Sequence, residues 1–195
     1  SARHPPTSTR PPTDGPTSHA RRRRLHAASG VLLRSRAADR DRERAGREAS
    51  PSAAVVDSQS VKAPQAKTRG YDAGKKVLGR KRHIAVDTDG RLLMVNLTPA
   101  DISDSAGAQA ILDGIRKRWP WVKHVFADGA YDRLKLMEKA AFLDFTVEVI
   151  RRSDSQAGFQ VLPRRWVVER TFGWMTRWRR LVRDYEQRLD VSEAM

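Results

Sequence analysis

Residues 82–97 read RHIAVDTDGRLLMVNL and predict a β-hairpin. Two largely apolar runs, residues 82–87 and 92–97, flank the dipeptide Asp89-Gly90. An Asp-Gly pair tolerates the positive φ angles of a type I′ turn, which is one of the commonest connections between antiparallel strands. The segment therefore predicts two antiparallel strands, around which the other elements can be arranged.

A third strand is predicted upstream of this hairpin. The run Ala53-Ala54-Val55-Val56-Asp57 is short, apolar and ends in a carboxylate, which is typical of a buried strand. We expect Asp57 at the carboxyl end of that strand. Residues 62–82 are polar and contain three glycines, so they predict a flexible loop that leads into the hairpin.

Helices and strands alternate downstream of the hairpin. Apolar residues recur at helical spacing after Asp104, a plausible N-cap, up to Trp119-Pro120. His124-Val125-Phe126-Ala127-Asp128 predicts a strand that again ends in an aspartate, and residues 132–143 predict a helix. Thr146-Val147-Glu148-Val149-Ile150 predicts the fifth strand.

One long helix is predicted from Arg164 to about Arg188. Its apolar stripe has the 3.6-residue period and comprises Val167, Thr171, Trp174, Trp178, Leu181 and Tyr185. Glu169 lies on the opposite face, one turn after Arg165. The order of three strands, helix, strand, helix, strand, helix predicts a mixed α/β protein, and it is the order of the ribonuclease H-like fold, a mixed five-stranded sheet with flanking helices.

The charge and the missing cysteines narrow the function. The 195 residues carry 38 Lys and Arg against 23 Asp and Glu, a formal net charge of +15, which favours a polyanionic partner such as nucleic acid. The absence of cysteine excludes disulfides and thiolate metal sites, and leaves oxygen-ligated metals. No run approaches the roughly 20 apolar residues of a membrane helix, so we expect a cytoplasmic protein without membrane contact.

The amino-terminal part differs in composition from the rest of the chain. Residues 1–50 hold 12 arginines, no lysine and no aromatic residue. Arginine-rich and proline-rich sequence of this kind has little apolar surface to bury, so we expect a disordered basic extension. It could grip DNA, but a charge run is more often a solvated extension. Residues 51–195 are expected to form the folded domain.

Three acids could meet at one edge of the predicted sheet. Asp57 and Asp128 follow strands, and Glu169 lies on a late helix, an arrangement that could bind divalent cations through oxygen ligands. Two such cations can activate an attacking oxygen and stabilise the leaving oxygen of a phosphodiester. Spacing alone leaves open that the two aspartates are strand-end caps or turn formers.

The local motifs around these acids resemble one known family. They are Val56-Asp57-Ser58-Gln59-Ser60-Val61-Lys62, Gly79-Arg80-Lys81-Arg82-His83, Ala127-Asp128-Gly129-Ala130-Tyr131 and residues 163–174, which read PRRWVVERTFGW. Together they resemble the DDE transposases of the IS5 group, within the IS4-like superfamily of bacterial insertion sequences. The resemblance spans roughly residues 44–195.

The resemblance implies a catalytic triad of Asp57, Asp128 and Glu169 that also holds the metal, Mg²⁺ or in its place Mn²⁺. Arg165 matches the arginine of the family's Tyr-Arg-Glu-Lys signature. The tyrosine and lysine of that signature are replaced here by Leu162 and Thr176.

Candidate DNA contacts come from the basic residues near these motifs. Lys62 and the run Arg80-Lys81-Arg82 cluster near Asp57 in the predicted sheet, and Arg165 and Arg177 belong to the last motif. His83 could touch DNA or metal, although a lone histidine at a strand start is more often structural. Trp174 and Trp178 could stack on bases, although their position on the apolar stripe favours burial in the core.

The resemblance implies a bacterial, nucleoid-associated enzyme that cleaves and joins duplex DNA at the terminal inverted repeats of an insertion sequence and in target DNA, with a possible homodimer on the DNA. Relatives carry an aromatic-rich helical DNA-binding region before the first aspartate, which residues 1–43 do not resemble. We therefore expect a fragment or a frameshifted product, and a catalytic domain that is truncated at its carboxyl end. An inactive remnant that only binds DNA and a metal-dependent nuclease of the same fold are the alternatives.

Overall fold

A six-stranded sheet forms the centre of the protein in the computed structural model, which describes residues 38–151 and 162–195. The strands are β1 (Ala53–Lys62), β2 (Gly70–Asp72), β3 (Val77–Val86), β4 (Leu92–Pro99), β5 (His124–Ala127) and β6 (Thr146–Val149). Their order is β2-β3-β1-β5-β6, and β4 also pairs with β3. Pairing is antiparallel among β1 to β4 and parallel from β1 through β5 to β6.

This topology confirms the predicted ribonuclease H-like fold class. Antiparallel β4, β3 and β1 are followed by β5 and β6, each reached through a helical connection that makes the pairing parallel. The prediction of five strands omits β2, which lies in the segment predicted as a loop. At Gly79, β3 passes so close to β1 that a Cβ atom would lie 1.9 Å from the carbonyl oxygen of Val61. This glycine, one of the three that indicated a loop, instead permits close strand contact.

Strand β1 is longer than the sequence predicts. It pairs with β3 from Val55 to Lys62, whereas β5 pairs with it only from Ala53 to Val55. Asp57 was predicted at the end of β1, but it lies in the middle of the strand. It is two residues beyond Val55, the last residue that pairs with β5, so the strand beyond Val55 has no parallel neighbour at that edge.

Helices cover both faces of the sheet. They are α1 (Asp104–Arg118), α2 (Leu134–Phe142), α3 (Trp166–Met175), α4 (Arg179–Val182) and α5 (Leu189–Ala194). One core cluster joins α1 and α2 to alternate strand residues such as Ala54 and Val56. A second cluster joins α3 to the intervening residues, including Val55 and Ile84. The period-two alternation of each strand thus separates two hydrophobic cores.

Two predicted turn and cap assignments are corrected. The N-cap of α1 is Ser103, whose hydroxyl accepts a hydrogen bond from the amide of Ala106, and Asp104 is the first helical residue. In the hairpin, only Gly90 has a positive φ, of 92°, and its amide donates to the carbonyl of Asp87. The connection between β3 and β4 is therefore not the type I′ turn predicted, which needs positive φ at two residues.

The predicted long carboxyl-terminal helix is broken. Helix α3 ends at Met175, α4 is one short turn, and residues 183–188 are irregular. The irregular residues are held by a buried ion pair between Arg80 of β3 and Asp184, at 2.8 Å, with both side chains almost completely buried. The Arg80 guanidinium also donates to the backbone carbonyls of Glu186, Gln187 and Arg188. These contacts draw the chain onto the sheet and replace the helical hydrogen bonds.

The broken helix changes the environment of its aromatic residues. Trp174 and Trp178 are 47% and 70% exposed, so the expected burial in the core is wrong. The guanidinium of Arg170 lies over the rings of Trp166 and Trp174, at 4.4 and 4.6 Å from their centroids. These cation–π contacts hold two aromatic side chains on the surface of α3.

The folded unit begins before the predicted boundary at residue 51. Residues 38–44 are helical, and Arg42 forms a buried ion pair with Asp87 at 2.5 Å. Residues 38–50 of the extension predicted for residues 1–50 thus belong to the folded part, and its residues 1–37 lie outside the described residues. Within the described ranges, no helix has the length and apolar character needed to cross a membrane.

We expect Asp184→Ala to destabilise the protein by about 3–5 kcal/mol, because the buried Arg80 guanidinium then lacks its carboxylate. Urea denaturation measures the change. The control is Asp113→Ala, which removes the partly exposed pair with Lys139 and should cost less than about 1 kcal/mol. Equal denaturation midpoints for the two variants would contradict a structural role for the Arg80–Asp184 pair.

Candidate functional site

Strand alternation directs Asp57 and Asp128 toward the same face of the sheet. Asp57 is two residues beyond Val55, and Asp128 is two residues beyond Phe126; both of these apolar residues pack against α3. The backbone continues in the same alternation, so both carboxylates emerge beside α3. Asp128 then caps the short 3₁₀ turn Gly129–Tyr131, and its Oδ1 accepts from the amide of Ala130 at 2.9 Å.

Helix α3 supplies the third acid. Its buried residues Val167, Val168 and Phe172 fix the helix against the sheet. Arg165, the N-cap residue, and Glu169 lie one turn apart at the start of the helix, with their side chains 3.5 Å apart. Glu169 is 52% exposed, so this end of the site is open to solvent.

The structure brings the three predicted acids together around one cation. Nη2 of Arg165 lies 3.8 Å from Oδ2 of Asp57, 3.5 Å from Oδ2 of Asp128 and 3.5 Å from Oε1 of Glu169. The Arg165 side chain is only 14% exposed, and its Nε has no hydrogen-bond partner among the described residues. Carboxylates from a strand, a strand end and a helix thus share one small volume.

Burial gives Asp57 unusual protonation behaviour. Loss of hydration raises the pKa of Asp57 to about 6, and the neighbouring charge of Asp128 also raises it. The backbone amide of Ser58, which donates to Asp57 at 2.7 Å, and the charges of Arg165 and Lys75 lower the pKa but do not offset the burial. Asp57 therefore gives up its proton less readily than an ordinary aspartate.

Lys75 is a cation near this site that the sequence did not indicate. It is exposed, follows β2, and its Nζ lies 3.4 Å from the carbonyl oxygen of Ser58. The only signal in the sequence was its place in a polar, basic segment, which the prediction treated as a loop without a defined position.

The predicted DNA contacts divide into buried and exposed residues. Lys62 and Arg177 are exposed. The run predicted to contact DNA from β3 is buried: Arg80 binds Asp184, Lys81 lies 3.0 Å from Asp104, and Arg82 approaches the carbonyl of Leu181 at 3.4 Å. We therefore correct the assignment of Arg80, Lys81 and Arg82, because side chains enclosed by these partners do not reach a phosphate at the surface.

His83 also has a structural position. Its Nε2 lies 2.9 Å from the Thr98 hydroxyl, and its ring packs so closely on α1 that a Cβ at Gly107 would lie 2.1 Å away. Burial lowers the pKa of His83 to about 4, so the ring is neutral at physiological pH. These contacts support a structural role for His83.

The site offers oxygen ligands but is closed around an arginine. Among the residues of 38–151 and 162–195, no three His, Cys, Asp or Glu side chains are gathered in a way that could hold a metal ion. The three carboxylates surround Arg165 instead. Their chemistry is of the type that Mg²⁺ and Mn²⁺ prefer.

We expect the pKa of Asp57 to appear in the pH dependence of stability. The pKa of Asp57 is about 3.9 in the unfolded chain and about 6 in the folded one. At pH values between these two, the folded state therefore binds more protons than the unfolded state. Stability relative to an Asp57→Asn variant should therefore fall by about 2–3 kcal/mol as pH rises from about 4 to 6. Urea denaturation of both proteins without divalent metal measures the difference. A difference that stays constant over this range would contradict the raised pKa.

Comparison with known proteins gives one family. The Transposase DDE domain model matches residues 48–195. A sequence relative, "Putative transposase for insertion sequence element IS402" of Burkholderia cepacia, is 30% identical over 148 residues, which are 72% of this chain and 68% of that protein.

Solved structures with similar topology include the catalytic core domain of BIV integrase, with 14% identity, a TM-score of 0.42 and coverage of 65% of this chain and 67% of that one. The Mos1 transposase paired-end complex with the left transposon end gives 13% identity, a TM-score of 0.33 and coverage of 72% and 46%. The family match begins before β1 and runs to the last residue, so it covers the six strands and helices α1 to α5 of the described residues. The chain belongs to the DDE transposase family.

Proposed function

We propose that this chain is the catalytic domain of an insertion-sequence transposase of the IS5 group, which cleaves DNA at the ends of the element and joins them to target DNA. The convergence of Asp57, Asp128 and Glu169 on the guanidinium of Arg165 is the observation that supports this proposal. Carboxylates so close together repel each other unless a cation lies between them. The three carboxylates therefore need a cation between them.

Asp57, Asp128 and Glu169 would hold divalent cations, Mg²⁺ or in its place Mn²⁺. The bound ions would activate the attacking water or 3′-hydroxyl and stabilise the leaving 3′-oxygen. Arg165 occupies the centre of the acids in this conformation, so it must withdraw toward solvent for the carboxylates to approach common ions. Glu169, which is half exposed, is the acid with most freedom to adjust.

Arg165 would then bind the DNA backbone. A guanidinium presents paired donors that match the oxygens of a phosphate, and its position one turn before Glu169 places it beside the reacting bond. Lys62 and Arg177 are exposed and remain candidate phosphate contacts. The proposed substrate is duplex DNA, both the terminal inverted repeats and the target, bound by a homodimer at the bacterial nucleoid in the cytoplasm.

We expect Asp57→Asn, Asp128→Asn and Glu169→Gln each to reduce Mg²⁺-dependent cleavage of duplex DNA by at least about 10³-fold, because loss of one ligand removes several kcal/mol of charge stabilisation. Cleavage and strand transfer are measured on labelled duplexes carrying the element ends. Asp113→Asn, an acid of α1 paired with Lys139, serves as control and should retain activity.

The pattern of products separates the candidate functions. Cleavage without joining would identify a nuclease of the same fold, and duplex binding without cleavage would identify a remnant that only binds DNA. Full activity in any of the three variants would remove that acid from the proposed triad.

We expect Arg165→Ala to decrease the magnitude of the slope of log K against log salt by about one, which corresponds to the loss of one phosphate contact, while the fold stays intact. Fluorescence anisotropy at several salt concentrations measures the slope, and Arg116→Ala, at the far end of α1, is the matched control. An unchanged slope together with a much lower melting temperature would show that Arg165 is only the ion-pair partner of the acids.

A further inference from the structure

A second concave surface lies beyond the carboxylates, where β1 ends and β3 begins. It is a groove of about 410 Å³. We call it the basic groove and define it by its lining residues Lys62, Arg69, Tyr71, Lys76, Leu78 and Arg183. Tyr71 and Leu78 are about half exposed, so the groove has an apolar wall beside its cations.

The cations of the basic groove are not neutralised. None of its four Lys and Arg side chains forms an ion pair with an acid in the part of the chain that the structure describes, and no acid lines the groove. Arg69 donates only to the carbonyl of Pro64, at 2.6 Å. Many other basic residues are paired with carboxylates, including Lys81 and Arg91. The positive charge concentrated here is therefore available to an external anion.

The basic groove is held by the buried framework of the protein. The amide of Asp184 donates to the carbonyl of Lys62 at 2.9 Å, and the carboxylate of Asp184 binds Arg80 of β3. Arg183 is thus kept opposite the β2–β3 edge, although it comes from a segment more than one hundred residues later in the sequence. A groove whose charges are positioned before binding loses less entropy when a ligand arrives.

The position of the basic groove relates it to the three acids. Asp57 pairs with Ile84 of β3, and Leu78 of the groove lies six residues before Ile84 on that strand. An even separation places Leu78 on the same face of the sheet as Asp57, at about 20 Å by the rise of a β-strand. Successive phosphates along one DNA strand follow each other at about 3.4 Å of helix rise. A duplex with one phosphate at the acids can therefore reach the groove about six nucleotides away.

We propose that the basic groove binds the phosphodiester backbone of duplex DNA on one side of the bond that is cut, with the side chains of Tyr71 and Leu78 against the sugars. This rests on the proposed function, because the duplex is the one held at the three acids. The groove acts as a positioning surface and takes no part in the chemistry. In this proposal the basic groove is the main phosphate-binding surface near β1, the role that the sequence had suggested for the buried run of residues 80–82.

The test compares two double variants that remove the same charge. Lys76→Gln/Arg183→Gln changes the basic groove, and Arg40→Gln/Lys117→Gln changes two exposed cations at the opposite end of the sheet. Binding of a fluorescein-labelled 30-base-pair duplex is measured by anisotropy over a series of salt concentrations. The slope of log K against log salt is negative. We expect its magnitude to decrease by about two for the groove variant and to stay unchanged for the control. Thermal melting verifies that both remain folded.

The outcomes separate the two proposals. A slope equal to that of the wild type in the groove variant, or an equal fall in the control, would overturn the basic groove as a DNA site, while cleavage that depends on the three acids would leave the proposed function intact. A wild-type chain that does not bind the duplex at all would overturn both. Binding of an acidic protein in place of DNA would also appear as an unchanged slope on the duplex.

Discussion

Three carboxylates that each lie within 3.8 Å of one guanidinium nitrogen impose a strong constraint on this fold, because their negative charges repel each other. Arg165 meets this constraint from the start of α3, where it contacts all three acids. The helix must therefore lie against the sheet face that carries Asp57 and Asp128, and its apolar residues pack there on Val55 and Phe126. Packing and charge compensation thus require the same placement of α3, and neither would hold the helix end in position alone. A divalent cation is the natural substitute for the guanidinium, since it concentrates more charge on the same oxygens.

A second buried contact determines where the carboxyl-terminal segment lies. Arg80 has no exposed surface and is satisfied by Asp184 together with four backbone carbonyls, those of Thr68, Glu186, Gln187 and Arg188. Breaking such a pair leaves an uncompensated buried charge, which costs several kcal/mol. The segment after α4 must therefore stay extended along β1 and β3. The same contact closes the fold on one side and brings Arg183 to the basic groove on the other, so this ion pair also shapes the surface that we propose to bind DNA.

Local patterns predicted five of the six described strands, the helices α1 and α2 and the motifs that carry the three acids. They failed where long-range contacts decide the structure. The apolar stripe from Val167 to Tyr185 is a good helical pattern, yet the tertiary hydrogen bonds of Arg80 outweigh it, as helix propensity is a weak preference of a few tenths of a kcal/mol per residue. Strand β2 was missed for a related reason, since its pairing with β3 is a contact that only the folded sheet creates. The position of Asp57 within β1 depends on the length of its partners, which no single segment contains.

The distribution of cations shows why a linear basic run does not form an exposed basic surface in this fold. Neighbouring residues of a strand point to opposite faces, so Arg80, Lys81 and Arg82 cannot form one exposed patch on β3. In the fold, Arg80 and Arg82 contact the carboxyl-terminal segment, while Lys81 lies on the α1 side with Asp104. The cations that do share a surface are Lys62, Arg69, Lys76 and Arg183, which are scattered in sequence and brought together by β1, the β2–β3 edge and the segment anchored by Asp184. A phosphate backbone responds to charges in space, so a surface assembled by the fold is the one that can follow a duplex.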